Sequence, residues 1–126
     1  MDKWAYLITG GILGTLARYI LSGTVDHKAG MALPFGTLTV NLVGCFLVGF
    51  LDIWAERKFT LMPHMRLLLV TGFCGAFTTF SAFILESYTL VREGHMAQAF
   101  MNVMGSVALG LIVFRLGMLL GEKIWF

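Results

Sequence analysis

The sequence predicts an all-α membrane protein built from four transmembrane helices. Three observations carry this. Of its 126 residues 58% are apolar and only 13% charged, whereas a soluble domain carries about a quarter charged residues. The apolar residues gather into four stretches, Trp4–Leu21, Gly36–Trp54, Leu67–Val91 and Met101–Leu120. Each is close to the ~20 residues that cross ~30 Å of hydrocarbon. The connections are short, so the four spans form a single domain over residues 1–126.

The first span opens on Asp2 and Lys3, whose charges cancel, and further spans follow at once. Neither feature suits a cleavable signal peptide. Gly10 and Gly14 are four apart, the spacing that lets membrane helices approach closely. Arg18 closes the span. It either snorkels to the interface, stands as a fixed cation near a vestibule, or donates to a neighbouring helix. The stretch from Ser22 to Phe35 reads as the longest loop, with Pro34 marking the start of the second helix.

In the second span Thr37, Thr39 and Asn41 bring polar groups into the bilayer, where lipid offers no partner. The Asn41 amide suits either an interhelical hydrogen bond or a donor that replaces water around an anion. Gly44 and Gly49 follow, and Cys45, like Cys74 in the third span, reads as a small buried residue. Pro63 suits the first turn of the third helix, where its missing N–H costs nothing. In the fourth span Ser106 either continues a polar path or bonds back to its own helix, and Gly117 and Gly121 repeat the four-residue spacing. Asp52 and Arg115 lie near span ends, where snorkelling or pairing is expected.

Charge leaves the orientation weakly specified. If the spans alternate, one side holds Lys3, Arg57, Lys58, Arg66 and Lys123, and the other Lys28 and Arg92, with Arg18 close by. Lys and Arg in short loops set orientation, and this balance permits insertion either way. The net charge of +2 comes without a basic run, so nucleic acid is not an expected partner.

The third span holds the most unusual segment, T-G-F-C-G-A-F-T-T-F-S-A-F at residues 71–83. Gly72 and Gly75 loosen a helix, and Thr78 and Thr79 compete for its backbone bonds. Two structures satisfy the pattern: a helix interrupted near residues 75–79, with carbonyls freed at mid-membrane, or a continuous helix using small residues for packing. Phe80 and Phe83 share a helical face beyond this point. They are either packing or positive ring edges turned towards an anion, with Ser81 a donor beside them. Glu86, one turn later, must face protein or water.

Together, G-T-L-A-R (Gly14 to Arg18), P-F-G-T-L-T-V-N-L-V-G (Pro34 to Gly44) and the segment at 71–83 resemble the small bacterial fluoride channels, the Fluc or CrcB family. The resemblance covers the whole chain. It implies four helices with the third broken, in an antiparallel, dual-topology homodimer with two pores, each lined by both subunits. It also implies a passive fluoride channel in the cytoplasmic membrane of a bacterium. The carbonyls of Gly75 and Thr78 would hold a structural sodium ion with their symmetry mates. Phe80, Phe83 and Asn41 correspond to pore residues, with Thr39, Ser81 and Ser106 as members of a polar track, and Arg18 matches the arginine ending the first span. Ala76 stands where a second glycine is common, and Ala82 where threonine is common; the second change removes a hydroxyl beside Phe83.

Two other functions compete. A dual-topology multidrug–proton antiporter needs a titratable group deep in the membrane. The first span has no acid, and Glu86 is the one acid well inside any span. A structural subunit of a larger complex would carry no ion flux alone. Enzymatic activity is not expected, since no nucleophile–base pair or metal set can be assembled from the residues present.

Overall fold

The computed structural model describes residues 2–29, 34–56 and 62–125. Arg57 and Lys58, two of the cations in the orientation balance, lie outside the described residues. The architecture is all-helical among the described residues, with helices α1 (Lys3–Ala29) and α2 (Phe35–Trp54) followed by a composite third span. That span begins with α3, made of Pro63–Arg66, a π-helical stretch Leu67–Cys74 and a last turn Gly75–Phe77. It resumes after a break as α4 (Phe80–Arg92), and α5 (Met96–Trp125) completes the bundle. Four helical units, Lys3–Ala29, Phe35–Trp54, Pro63–Arg92 and Met96–Trp125, are long and apolar enough to cross a membrane.

The stretch read from sequence as a loop after Ser22 is instead helical as far as Ala29. Ser22 and Thr24 stay in the helix because their hydroxyls donate to the carbonyls of Tyr19 (3.4 Å) and Ile20 (2.8 Å). The extension serves the next element: Asp26 Oδ1 accepts the Gly36 N–H at 2.8 Å, so the end of α1 caps the start of α2. Pro34 occupies the N-cap of α2, and Pro63 the first turn of α3. Between α4 and α5 the chain turns through Gly94 at φ 84°, a left-handed conformation that favours glycine. The His95 N–H reaches back to the Leu90 carbonyl (2.8 Å) and the Gly94 N–H to that of Val91 (3.0 Å), which satisfies the end of α4.

Apolar side chains cover the outside of the bundle as well as filling its interior. Large apolar side chains face outward, with Ile12, Leu16, Leu111 and Ile112 all more than half exposed. The helix contacts instead rely on glycine, as expected where lipid removes the hydrophobic drive between helices. A Cβ at Gly10 would overlap the Leu68 carbonyl oxygen, and one at Gly14 the Phe73 carbonyl oxygen. These glycines are four apart on α1, while the carbonyls they meet are five apart on α3. A π-helix closes its hydrogen bonds at i+5, so the π stretch brings Leu68 and Phe73 onto one face against a four-residue spacing. The α2–α5 contact follows the same logic: a Cβ at Gly49 would overlap the Phe114 carbonyl, and one at Gly117 the Phe46 carbonyl. Both pairs run parallel, and α4 packs antiparallel to α2 and α5.

Gly10→Ala is expected to cost ~1–3 kcal/mol through overpacking, because backbone rather than a flexible side chain occupies the space. Gly23→Ala, where a Cβ meets nothing within 4 Å, should be neutral or stabilising. Reversible unfolding in mixed detergent micelles measures the difference; equal midpoints would refute the close approach at Gly10.

Candidate functional site

The third span parts at Thr78 and Thr79, whose backbones are extended (φ −86°, ψ 157° and φ −148°, ψ 119°). A broken helix in hydrocarbon strands polar groups that cost several kcal/mol each when unpaired. Several of them are met by named partners. The Thr79 N–H, which an unbroken helix would send to the Gly75 carbonyl, donates to Asn41 Oδ1 at 2.8 Å. Asn41 Nδ2 donates in return to the Thr79 carbonyl at 3.1 Å. Its primary amide thus pairs with the peptide as a strand would, but across two helices. Arg18 Nε donates to the Ala76 carbonyl at 3.3 Å. The Thr78 N–H and Oγ1 both donate to the Cys74 carbonyl at 3.0 Å. Finally, Thr79 Oγ1 accepts the Ala82 N–H at 3.3 Å and serves as the N-cap of α4.

The carbonyls of Gly75 and Thr78 are among those that lose their helical donors in this exchange. The Thr79 N–H leaves the Gly75 oxygen for Asn41, and the Ala82 N–H leaves the Thr78 oxygen for Thr79 Oγ1. Gly75 is exposed, and a Cβ there would meet nothing nearer than the Val70 carbonyl at 3.9 Å. Ala76 sits in the last helical turn before the break, a position that needs no glycine.

Beside the break lies a cleft of about 400 Å³, bordered by Asn41, Thr78, Thr79, Phe80, Phe83 and Ser106 among others, with neither a carboxylate nor a cation among the described residues of its lining. The rings of Phe80 and Phe83 stand 5.9 Å apart at 43°. Phe80 is 75% exposed, so its own chain leaves one side of the cleft open. Ser106 Oγ is buried without a hydrogen-bond partner among the described residues, so it does not bond back to its own helix. Asn41 spends one of its two N–H donors on Thr79 and keeps the other. The cleft therefore offers an amide N–H, a hydroxyl and aromatic edges, with no full charge. Such a lining suits a small anion held by weak donors.

The sequence-derived candidates divide accordingly. Asn41, Phe80, Phe83 and Ser106 converge on the cleft, whereas Thr39 and Ser81 lie outside its lining. Arg18 acts as a donor to a neighbouring helix rather than snorkelling freely. Gly75 and Thr78 flank the break. Glu86 is held by Thr37, whose hydroxyl donates to Glu86 Oε1 at 2.7 Å, while Oε2 is buried without a partner among the described residues. Ser87 and Asn102 were not singled out from the sequence, yet each is only 7% exposed. An asparagine four residues before Ser106 in an apolar span was the available signal.

A family model described as CrcB-like protein, Camphor Resistance (CrcB), matches residues 5–118. A fluoride-specific ion channel FluC from Maridesulfovibrio salexigens is 40% identical over 98% of each chain. A protein of the same description from Desulforapulum autotrophicum is 42% identical over 97% of this chain and 98% of its own. One from Aquifex aeolicus is 41% identical over 91% and 93%, respectively.

Asn41→Leu removes both bonds to Thr79 and leaves its N–H unpaired. Backbone amide exchange at Thr79 should then quicken by about five- to 150-fold, the factor that ~1–3 kcal/mol of lost pairing sets. Unchanged protection at Thr79 would show that the break is held by other means.

Proposed function

The chain belongs to the CrcB-like family, and we propose that it is a fluoride-specific channel that lets fluoride leave the cell passively. It is a multi-pass protein of the bacterial cytoplasmic membrane and not an enzyme. The observation that carries this reading is the uncharged cleft at the helix break, where Asn41, Ser106 and the rings of Phe80 and Phe83 meet. Relatives of near-identical length bear the name fluoride-specific ion channel.

The mechanism follows from the lining. Fluoride is small and strongly hydrated, so entering a narrow path costs several hydrogen bonds. The free Asn41 N–H, the Ser106 hydroxyl and the ring edges replace part of that shell. A fixed cation would hold the ion too firmly, whereas neutral donors let it leave. A larger halide gains less from the same constriction. Hydrogen fluoride enters as a neutral acid and ionises in the more alkaline cytoplasm. An interior-negative potential then drives the anion outward by about 2.3 kcal/mol per 100 mV.

We further propose that the working unit is an antiparallel homodimer. The exposed Phe80 ring and the open side of the cleft support this, since a second copy would supply the missing wall. The balanced distribution of Lys and Arg is compatible with insertion both ways. A structural sodium ion fits the same assembly. Its donors would be the Gly75 and Thr78 carbonyls of both copies, the oxygens whose helical N–H groups go elsewhere. Carbonyl oxygen is the donor a hard cation prefers, and the ion would balance the carbonyl dipoles gathered at the dimer centre. The antiporter reading is not favoured, because no acid lines the cleft.

Liposomes containing only the purified chain should lose fluoride rapidly and retain chloride without a proton gradient, as read by halide-selective electrodes. Equal loss of both ions, or no fluoride loss from folded protein, would overturn the channel. Phe80→Leu or Phe83→Leu should slow fluoride efflux by about tenfold or more, the factor carried by ~1.4 kcal/mol at the constriction. Replacing all sodium with a bulky organic cation should abolish efflux and restore it on sodium's return; flux indifferent to sodium would remove the ion from the assembly.

A further inference from the structure

We propose that Asn102 is a positioning residue for the pore rings, acting through Ser87 on the turn of α4 that carries Phe83. The proposal rests on the channel reading above and adds a determinant outside the cleft lining. Asn102 Nδ2 donates to Ser87 Oγ at 2.8 Å, and Ser87 Oγ donates to the Phe83 carbonyl at 2.8 Å. Both side chains are 7% exposed. A continuous hydrogen-bonded link thus runs from α5 to the backbone of Phe83.

The link matters because within one copy α4 rests on the bundle by one edge only. Phe80, Ile84, Leu85, Tyr88 and Val91 are all exposed, whereas Ser87 and Leu90 are its buried residues. Two side-chain ties join α4 to α2, the paired Asn41–Thr79 bonds at its start and the Thr37–Glu86 bond two turns later. Two ties to a single helix define a line about which α4 is free to roll. The Ser87–Asn102 bond lies off that line and reaches a different helix, so it fixes the roll. Asn102 and Ser106 are four residues apart and share a face of α5. One stretch of α5 therefore presents Asn102 to α4 and Ser106 to the cleft. The bond sets where Phe83 stands relative to the Ser106 hydroxyl.

A bond biases an orientation by no more than its own differential strength. Removing it should lower the population of the conducting orientation by about three- to fifteenfold, the range that interhelical bonds in membranes support. Fluoride and chloride efflux from liposomes would be measured for the wild-type chain, Asn102→Leu, Ser87→Ala, the double variant and Ser87→Thr. Each single variant should slow fluoride efflux by that factor and lower the fluoride-to-chloride ratio, with its gel-filtration profile unchanged. The double variant should be no slower than either single one, and Ser87→Thr, which keeps the hydroxyl, should retain the wild-type ratio.

Single variants with wild-type rate and ratio would overturn the proposal, as would losses that multiply in the double variant. Should Asn102→Leu fail to fold, Ser87→Ala against Ser87→Thr carries the same test. A wild-type chain without fluoride flux would sink the channel reading and this inference with it; wild-type flux with unaltered variants would sink the inference alone.

Discussion

Every backbone polar group inside hydrocarbon must find a partner, and the break at Thr78 and Thr79 is where this constraint bears hardest on the fold. An uninterrupted helix would satisfy itself. Interrupting it transfers the obligation to neighbouring elements, and the positions of those elements follow. The second helix must place Asn41 opposite Thr79, and the first must bring Arg18 to the Ala76 carbonyl. Thr79 itself must start the next helix with its side chain. The polar residues of this greasy chain are thus spent mainly on its own interrupted backbone. What remains after that accounting includes unspent capacity at the break: one Asn41 N–H, the Ser106 hydroxyl and the freed carbonyls of Gly75 and Thr78. Function is proposed where structure leaves donors and acceptors over.

Close packing makes the partnership possible. Arg18 reaches the break because α1 lies against α3 with no side chain between them at Gly10 and Gly14. Likewise α5 lies against α2 at Gly49 and Gly117, which holds Ser106 within the same cleft as Asn41. Glycine contributes little transfer energy to such contacts, but it admits backbone to within reach of short polar side chains. The bundle is consequently stiff along these two parallel pairs, while α4, the half-helix carrying the rings, is anchored by individual hydrogen bonds.

The helical class was legible from composition and hydropathy, because twenty-residue apolar runs have few other physical outcomes. The boundaries were less so. Ser22, Thr24 and Asp26 look like loop residues, yet their side chains bond to the helix's own carbonyls or to the start of α2, and the helix continues. The break was one of two structures the spacing allowed; spacing could not decide between them, and the family resemblance selected the interrupted one. The choice depends on Asn41, a residue far away in the chain, offering both a donor and an acceptor. For the same reason Asn41 could be read as either an interhelical bond or an anion donor, and it turns out to make the first with capacity for the second. Ser87 and Asn102 escaped notice because their importance is relational: neither type nor spacing reveals a bond made between two helices. The π stretch was equally hidden, since its residues Leu67–Cys74 have the composition of any apolar helix.

That π stretch makes the third span a counted length. Its extra residue reconciles the four-residue step from Gly10 to Gly14 with the five-residue step from Leu68 to Phe73. Deleting one residue between them would restore ordinary helical winding, whose four-residue step already matches Gly10 and Gly14, so everything downstream would keep its place. A second deletion finds no such slack: the rest of the span would turn by about 100° and shift by ~1.5 Å, and Thr79 would miss Asn41. The stretch is thus a reserve of one residue, which the span can give up without moving its pathway.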